Sequence, residues 1–594
     1  APQVTGEERW KILETNTAYT SVLLEYEVNC IGEENETDLY TVKEFFRVRM
    51  AQGIMYLLNY DRRMEQVFDG SRKVLDEKGL LLGIVPADVP YMVNSEGSIA
   101  AFVQADELWS YDSEEGRLSL VFSFRDAENT DSRSKISDHN IRILSMDKKG
   151  NMTFAVSGYM NRGAHEGQVG IDIYYYDIEA NSIEEKAFIP SNKAAAIAEE
   201  EFGKFAYYSV KRDYLYMLAG GTLYEVDVDK NWDEPVISDL KEGQYVMSEN
   251  GQWAAYQTGG SLESSDQVIV RDLNADEEYK IEAVEGESVI PLGFVGDDFV
   301  YGRAKQSETG AAISGEKVVP MYLVEIRNSE NELIKSYDPG EYRVTGAEAG
   351  SGMITLYRAV KNEDTYIGAE ADYITSSEEK EESGVTLESY VSDLKKTQMR
   401  LTFADGMKEK KARVLKPKQM LHDNPALPEF DEDSTEHGYC VYGLGELQGI
   451  YKEAGEAVRN ADSVSGVVIT NGQYVWERGN RYLAYQITGQ DELLAYIQNG
   501  LAAGTPPLEV LNELSGGKAV ELSGCRAEHI CYLINKGTPV ISVRKGEAPL
   551  ILTGFDENQV IYINTADGQI LAMPKEQMDQ IMMQEGNEYI GYLL

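Results

Sequence analysis

Residues 244–282 read as a turn, a strand, a loop, a strand, a turn and a strand, and units of that kind recur along the chain. Ser248, Glu249 and Asn250 supply turn chemistry, and Gly251 accepts a positive φ at little cost. Trp253, Ala254, Ala255 and Tyr256 make a short strand. Gln267 to Asp272 places β-branched residues on both faces, as expected where both faces are covered. Asn274, Ala275 and Asp276 turn the chain, and Tyr279, Lys280 and Ile281 begin a last strand. Four short strands in a unit of roughly 40 to 50 residues is the period of a propeller blade.

Similar units occupy residues 91–124, 141–189, 205–237, 289–337 and 342–403, and residues 45–76 read as a further one. About seven blades result, within the usual range of a closed propeller. A closed ring needs a latch, and residues 21–28 are expected to complete a blade with residues 399–403. The units resemble TolB-like and WD-type propeller repeats, in which a Ser-x-Asp-Gly-like turn precedes a strand and a later strand ends in Asp. Ser248 to Gly251 with Val268 to Asp272 carry that likeness, as do Asn94 to Gly97 with Leu108 to Asp112. The resemblance implies fold and says little of function, because propellers host many functions.

Hydrophobic residues make up 42% of the 594-residue chain, which excludes global disorder. The net charge of −46, from 101 acidic and 55 basic residues, repels nucleic acid and anionic membrane surfaces. No stretch of about 18 apolar residues occurs to span a bilayer. The four cysteines, Cys30, Cys440, Cys525 and Cys531, form no CxxC pair, and the five histidines are scattered without HExxH spacing. No metal site and no cofactor is expected. Asp227 to Asp233 mimics the start of a calcium loop but lacks the required Gly and Glu, and Cys525, His529 and Cys531 fit no common ligand spacing.

Residues 406–437 change character. A basic run from Lys408 to Lys418 is followed by Asn424 to Pro428 and an acidic stretch from Asp431 to Glu436, which reads as a linker between a propeller at 15–405 and a second domain at 438–594. From Gly438 the pattern turns α/β. Residues 439–461 have helical periodicity, with Leu447, Ile450, Tyr451, Ala454, Ala457 and Val458 recurring at three and four. Further helices are expected at 491–503, 507–514, 527–535 and 575–582, and strands at 539–543, 549–553 and 559–563.

The order in this second domain is specific. A helix leads into Asn535, Lys536, Gly537, Thr538, Pro539, Val540 and Ile541. A strand then ends in Gly554, Phe555 and Asp556, and another runs through Ile561 to Asn564. This resembles the papain-like domain of bacteriocin-processing cysteine peptidases, with a "Gly-x-Pro-Val" strand, a "Gly-Tyr-Asp" strand end and an "Asn-Asp-Pro" strand. The resemblance implies an α/β papain-like fold whose catalytic positions are lost. The stretch corresponding to the nucleophile, Gln473 to Arg481, has no Cys. The position of the catalytic His is Ala548, and the Asp of "Asn-Asp-Pro" falls on Thr565, beside Asn564. A Cys–His site needs a thiolate and an imidazole to shuttle its proton, and an alanine supplies neither.

The expected architecture is therefore an all-β propeller joined to a catalytically inactive, peptidase-like α/β domain. Its candidate cleft comprises Gln473, Trp476, Glu477, Arg478, Asn480, Ala548, Asn564 and Thr565, with no catalytic residue. The bland reading of Trp476 to Arg481 is a helix start held by local ion pairs. The expected function is binding of a protein, peptide or envelope glycan at a bacterial cell surface, with the anchor upstream of Ala1. The paired domain resemblances imply that setting; composition does not. Two rivals stand beside it: an active cysteine peptidase or hydrolase using Cys440 or Cys525, and an intracellular protein-interaction scaffold.

Overall fold

The computed structural model describes the chain except residues 1, 33–34, 126–131, 204, 220, 229, 231, 242, 313–316, 351–352, 363–364, 376–383, 410, 417–419, 422–437, 452, 480, 545–546 and 585–586. Turn chemistry builds its largest part. In residues 244–282, strands Tyr245–Met247, Trp253–Gln257, Gln267–Asp272 and Glu277–Glu282 form one antiparallel meander. Gly251 takes φ +73°, and the Ser248 hydroxyl accepts the Trp253 amide at 2.9 Å. At the end of the third strand the Asp272 carboxylate accepts the amides of Asn274 and Ala275 at 2.8 and 2.9 Å.

The same carboxylate cap recurs at the same place in other blades. Asp112 accepts the amides of Glu114 and Glu115, Asp177 that of Ala180, and Asp227 that of Lys230. Asn328 does the same for Glu330 and Glu332. Each cap satisfies backbone donors that a tight turn leaves without a ladder partner. Asp227 thus belongs to a blade turn.

Among the described residues, seven blades follow one another along the chain. Blade 1 spans residues 91–123, blade 2 residues 139–191, blade 3 residues 206–237, and blade 4 residues 245–282. Blades 5 and 6, at 287–337 and 343–375, share one sheet through the bridge between Met321 and Val344. Blade 7 joins distant segments: Val385–Ser392 and Lys396–Phe403 pair with Gly79–Gly83. Apolar side chains weld blade 7 to blade 1 and blades 1 through 6 to one another. Phe102, Trp109 and Tyr111 of blade 1 pack with Leu80, Leu401 and Phe403 of blade 7, and Phe122 packs with Phe154 and Tyr174 of blade 2. Similar clusters join blades 2 to 3, 3 to 4, 4 to 5 and 5 to 6.

Four expectations are corrected. The latch strand is Gly79–Gly83, not residues 21–28. The latter lie in Thr20–Ile31, whose both edges are already paired, by Gln3–Thr15 and Thr37–Ala51. Residues 3–66 form a separate four-stranded sheet of long strands, so residues 45–76 are not a blade and the ring begins near Gly79 rather than at residue 15. Part of the expected linker is structured. Arg413–Leu415 adds a parallel strand to Arg117–Ser123 of blade 1, and Met420–Leu421 does so to blade 2. Its proline-rich and acidic stretches lie outside the described residues. Finally, residues 439–461 are not one helix. They form the hairpin Tyr439–Gly443 and Glu446–Tyr451, and only then the helix Ala454–Ser463. Leu444 and Gly445 take φ +55° and +94° between the two strands, a left-handed turn that no helix continues through.

The C-terminal part holds two sheets. The first has the order Glu446–Tyr451, Tyr439–Gly443, Val467–Thr470, Gln473–Glu477. The second runs Ala519–Glu521, Glu588–Tyr592, Val540–Val543, Leu550–Phe555, Gln559–Asn564, Ile570–Pro574. Helices Asp491–Ala502, Pro507–Ser515, Ala527–Asn535 and Lys575–Gln584 fall within a residue or two of their expected places. One core, including Val441, Val468, Trp476, Ile530, Leu552 and Tyr589, spans both sheets. No helix among the described residues is long and apolar enough to cross a membrane.

The recurrent cap gives a direct test. Asp272→Ala should lower stability by about 1 kcal/mol, the usual net worth of a hydrogen bond, whereas Asp272→Asn, which keeps an acceptor, should lose less than half of that in urea unfolding.

Candidate functional site

The N-terminal sheet touches both the ring and the C-terminal part. Lys135 of the ring pairs with Glu27 of the sheet at 3.0 Å, and Lys395 pairs with Asp38 at 2.8 Å. On the same face of the sheet as Glu27, Arg63 and Lys43 reach Glu446 at 2.9 and 3.7 Å. The turn at Gly445 lies against Leu23, so close that a Cβ there would stand 3.0 Å from its methyl group.

A cavity of about 710 Å³ opens where these parts meet. The N-terminal sheet contributes Leu13, Glu14, Ser21, Phe45 and Arg47. The helix Ala195–Gly203 that follows blade 2 contributes Ile197. The C-terminal part contributes Cys440, Tyr442, Leu444, Ile450, Ile469 and Tyr474, with the turn Thr470, Asn471 and Gly472 at one edge. The lining is mainly apolar but includes Asn192 and Lys193, and its buried charged pair is fixed. Arg47 donates to Glu14 at 2.6 Å and to the Ser21 hydroxyl at 3.1 Å, and Ser21 donates to Glu14 at 2.8 Å. The guanidinium lies 4.3 Å from the centre of the Tyr19 ring. Both charged groups are nearly buried, so neither can turn to solvent without breaking the pair. Burial, and then the nearby Glu14 carboxylate, push the Tyr19 hydroxyl well above its ordinary range.

The residues singled out from sequence fall into separate places. Gln473, Trp476 and Glu477 lie on a strand paired with Val467–Thr470, which corrects the reading of that stretch as a helix start. Trp476 is buried in the core. Glu477 accepts the Tyr532 hydroxyl at 2.8 Å, and burial together with this carboxylate pushes the Tyr532 hydroxyl strongly up. Arg478 pairs at 3.2 Å with Asp462 on the preceding helix, Ala454–Ser463. Asn480 lies outside the described residues. Ala548, Asn564 and Thr565 do come together: Asn564 pairs with Leu550 across two strands, and the Thr565 hydroxyl donates at 2.7 Å to the carbonyl of Pro549, next to Ala548. Arg544 donates to the Ala548 carbonyl at 3.0 Å. This group and Trp476 stand on different sheets. Of the expected cleft stretch it is Tyr474 that faces the cavity, and sequence reasoning passed it over because a strand, unlike a helix start, presents alternate residues to one side.

The thiols beyond Cys30 are buried. Burial pushes Cys525 up to about 12, and burial pushes Cys531 up to about 11. Cys531 donates to the carbonyl of Ala527 at 3.0 Å. His529 is held down at about 4, first by burial and then by Arg526 and Arg459. Its Nδ1 accepts the Arg526 amide at 3.2 Å, an arrangement that caps a helix. A nucleophilic Cys–His pair needs the thiol low and the imidazole ready to take a proton, so each of these shifts runs in the wrong direction. Cys440 lines the cavity, and the neighbouring His437 lies outside the described residues.

No protein-family model and no curated protein matches the chain. Among solved structures it is similar to Kluyveromyces lactis Hsv2, at 12% identity over 53% of this chain and 98% of that one, with a TM-score of 0.25. It is similar also to the β-propeller domain of the Trilobed protease from Pyrococcus furiosus, at 12% identity, 60% and 94% coverage and a TM-score of 0.25. TolB from Acinetobacter baumannii matches at 11% identity, 45% and 61% coverage and a TM-score of 0.19. Superpositions this loose carry no argument, and the blade architecture rests on the chain's own strand pairing.

Two outcomes follow. Glu14→Ala leaves the Arg47 charge buried without its carboxylate and should cost about 3 kcal/mol in urea unfolding. Iodoacetamide applied to the folded protein between pH 6 and 9 should leave Cys525 and Cys531 unmodified in peptide mass mapping, since the thiolate forms only above that range. Rapid labelling of either below pH 8 would restore an active-thiol reading.

Proposed function

We propose that this chain is a binding protein without peptidase activity, and that its ligand site is the cavity between the N-terminal sheet and the C-terminal part. The observation that carries the reading is the composition of that cavity. It has the volume of a small-ligand or side-chain pocket, mainly apolar walls, Lys193 and one rigid charged pair. A peptide segment suits it best among the ligand classes considered. An apolar side chain would fill the space beside Phe45, Ile450 and Ile469. The exposed turn at Asn471 and Gly472 offers backbone groups to the peptide's own.

The C-terminal part is, in this reading, an inactive relative of the papain-like peptidases. What supports it is the order of helix and strands from Ala527 to Asn564 and the chemistry at the family's catalytic positions. Ala548 offers only a carbonyl, already engaged by Arg544, and the Thr565 hydroxyl is spent on a backbone carbonyl. A bacterial cell-surface or secreted setting belongs to the same proposal, since it follows from the pairing of a propeller with a domain of that kind.

The test uses a random-peptide phage library panned on the full chain. Peptides enriched on the parent should fail to bind Ile469→Trp, whose indole fills the cavity, while the variant keeps its parent-like melting curve, and none should be cleaved on prolonged incubation. Undiminished binding to the variant would remove the cavity from the proposal, and cleavage would overturn the non-catalytic reading.

A further inference from the structure

Blade 2 contains a cluster that the sequence spacing conceals. Asp172 lies on strand Val169–Asp177 and Glu185 on its antiparallel neighbour Ser182–Ser191. Tyr174 is opposite Glu185, and Asp172 lies two residues before Tyr174, so the two carboxylates share one face of the sheet. A bulge between Ile173 and Tyr174 draws them together. His165 arrives from the loop that joins Met152–Tyr159 to Val169–Asp177. That loop is closed by hydrogen bonds from Met160 to Gln168 and from Gly167 to Met160, both 2.9 Å. Its imidazole stacks on Phe188 with the ring centres 3.8 Å apart and the planes 5° from parallel, and its Nε2 stands 2.6 Å from Glu185. One donor atom from each of the three residues lies within 4.8 Å of the others.

Two observations make this more than a group of acidic residues. First, both carboxylates are 2% exposed. Two negative charges buried side by side are tolerated only with a compensating cation or proton between them. Second, the hydrogen-bond account of Asp172 does not close. Its Oδ2 accepts the Tyr174 hydroxyl at 2.5 Å, but its Oδ1, fully buried, has no partner among the described residues. A buried carboxylate oxygen with nothing bound to it is rare in folded proteins and calls for a ligand.

We propose that His165, Asp172 and Glu185 form a binding site for one divalent transition-metal cation of the zinc class. The donor set selects among ions. One imidazole nitrogen and two carboxylates suit zinc, which accepts four ligands at about 2.0–2.2 Å. Calcium takes six to eight oxygens, and magnesium keeps most of its waters in an octahedral shell; neither favours an imidazole in a dry three-residue site. Tetrahedral ligation holds donor atoms about 3.3–3.5 Å apart. The present spread must therefore contract by about 1 Å while the His165 to Glu185 contact opens to admit the ion. The loop can supply that movement, because Gly163 and Gly167 carry its two left-handed turns and His165 retains a partly exposed edge. Three protein ligands leave a fourth position for water. The consequence for the fold is a clamp: the ion would tie the 160–168 loop to the two outer strands of the blade.

The experiment strips the full chain with a chelator, dialyses it and titrates it with zinc chloride. Bound metal is counted by mass spectrometry after gel filtration, and the melting temperature is followed with zinc or calcium chloride. One equivalent of zinc should be retained, with a melting temperature that rises with zinc and not with calcium. His165→Gln and Asp172→Asn should each weaken binding by ~10-fold or more while melting like the parent, or higher, in the presence of chelator. Retention of the equivalent by both variants would assign the zinc to another site and overturn the proposal. So would a parent that retains none, with Asp172→Asn raising its stability, because a shared proton would then be what holds the carboxylates together.

Discussion

The ring depends on one small interaction used repeatedly, the carboxylate or amide oxygen that closes the turn after the third strand of a blade. Asp112, Asp177, Asp227, Asp272 and Asn328 hold this position in successive blades, each accepting one or two amides of the turn that follows. A four-stranded meander is only marginally stable alone, and its apolar faces are covered only when neighbours stack against them. The cap fixes the length and direction of the turn. That sets the register of the outermost strand and hence which side chains meet the next blade. Trp253, Val268, Val270 and Ile281 of blade 4 can meet Val289 and Phe299 of blade 5 because the strands between them are held in step.

That local device explains why the blades are legible in the sequence and their closure is not. Turn formers followed by β-branched pairs announce a blade within about 40 residues. The latch joins Gly79–Gly83 to residues more than 300 positions later, and nothing in a short strand of Gly, Leu, Leu, Leu and Gly names its partner. The strand at 20–31 offered a better-looking candidate, but its own neighbours in sequence saturate both edges first. Likewise, residues 439–461 carry an apolar spacing that suits a helix. Hairpin and helix compete there, and the Leu444 and Gly445 turn decides for the hairpin up to Tyr451. Helices without such punctuation, as at 491–502 and 527–535, read true.

The site was the least legible part, for a physical reason. The cavity has walls from three regions far apart in sequence, and no spacing rule links Phe45 and Arg47 to Ile469 and Tyr474. Sequence reasoning looked for catalytic chemistry in the C-terminal part and found its absence at Ala548. It could not see that the first sheet of that part would present its turns to the N-terminal sheet. The histidines were read as scattered because metal signatures are sought at short helical spacings. His165, Asp172 and Glu185, seven and thirteen residues apart, are brought together by a loop, a strand and a bulged return strand.

The acidity of the chain bears on both sites in opposite ways. With 101 carboxylates against 55 basic side chains, most negative charge must remain solvated, and every carboxylate taken into the interior needs its own justification. Glu14 has one in Arg47 and Ser21, and Glu25 has Arg9, Lys11 and Lys43 around it. These groups are paired within the chain, so they shape surfaces and leave no demand for a ligand charge. The cavity beside Glu14 is therefore a place for apolar substance, recognised by shape. Asp172 in blade 2 is the opposite case, because among the described residues its buried Oδ1 has no hydrogen-bond partner. A shortage of cations that is harmless at the surface becomes, in the interior of a blade, an affinity for one from outside.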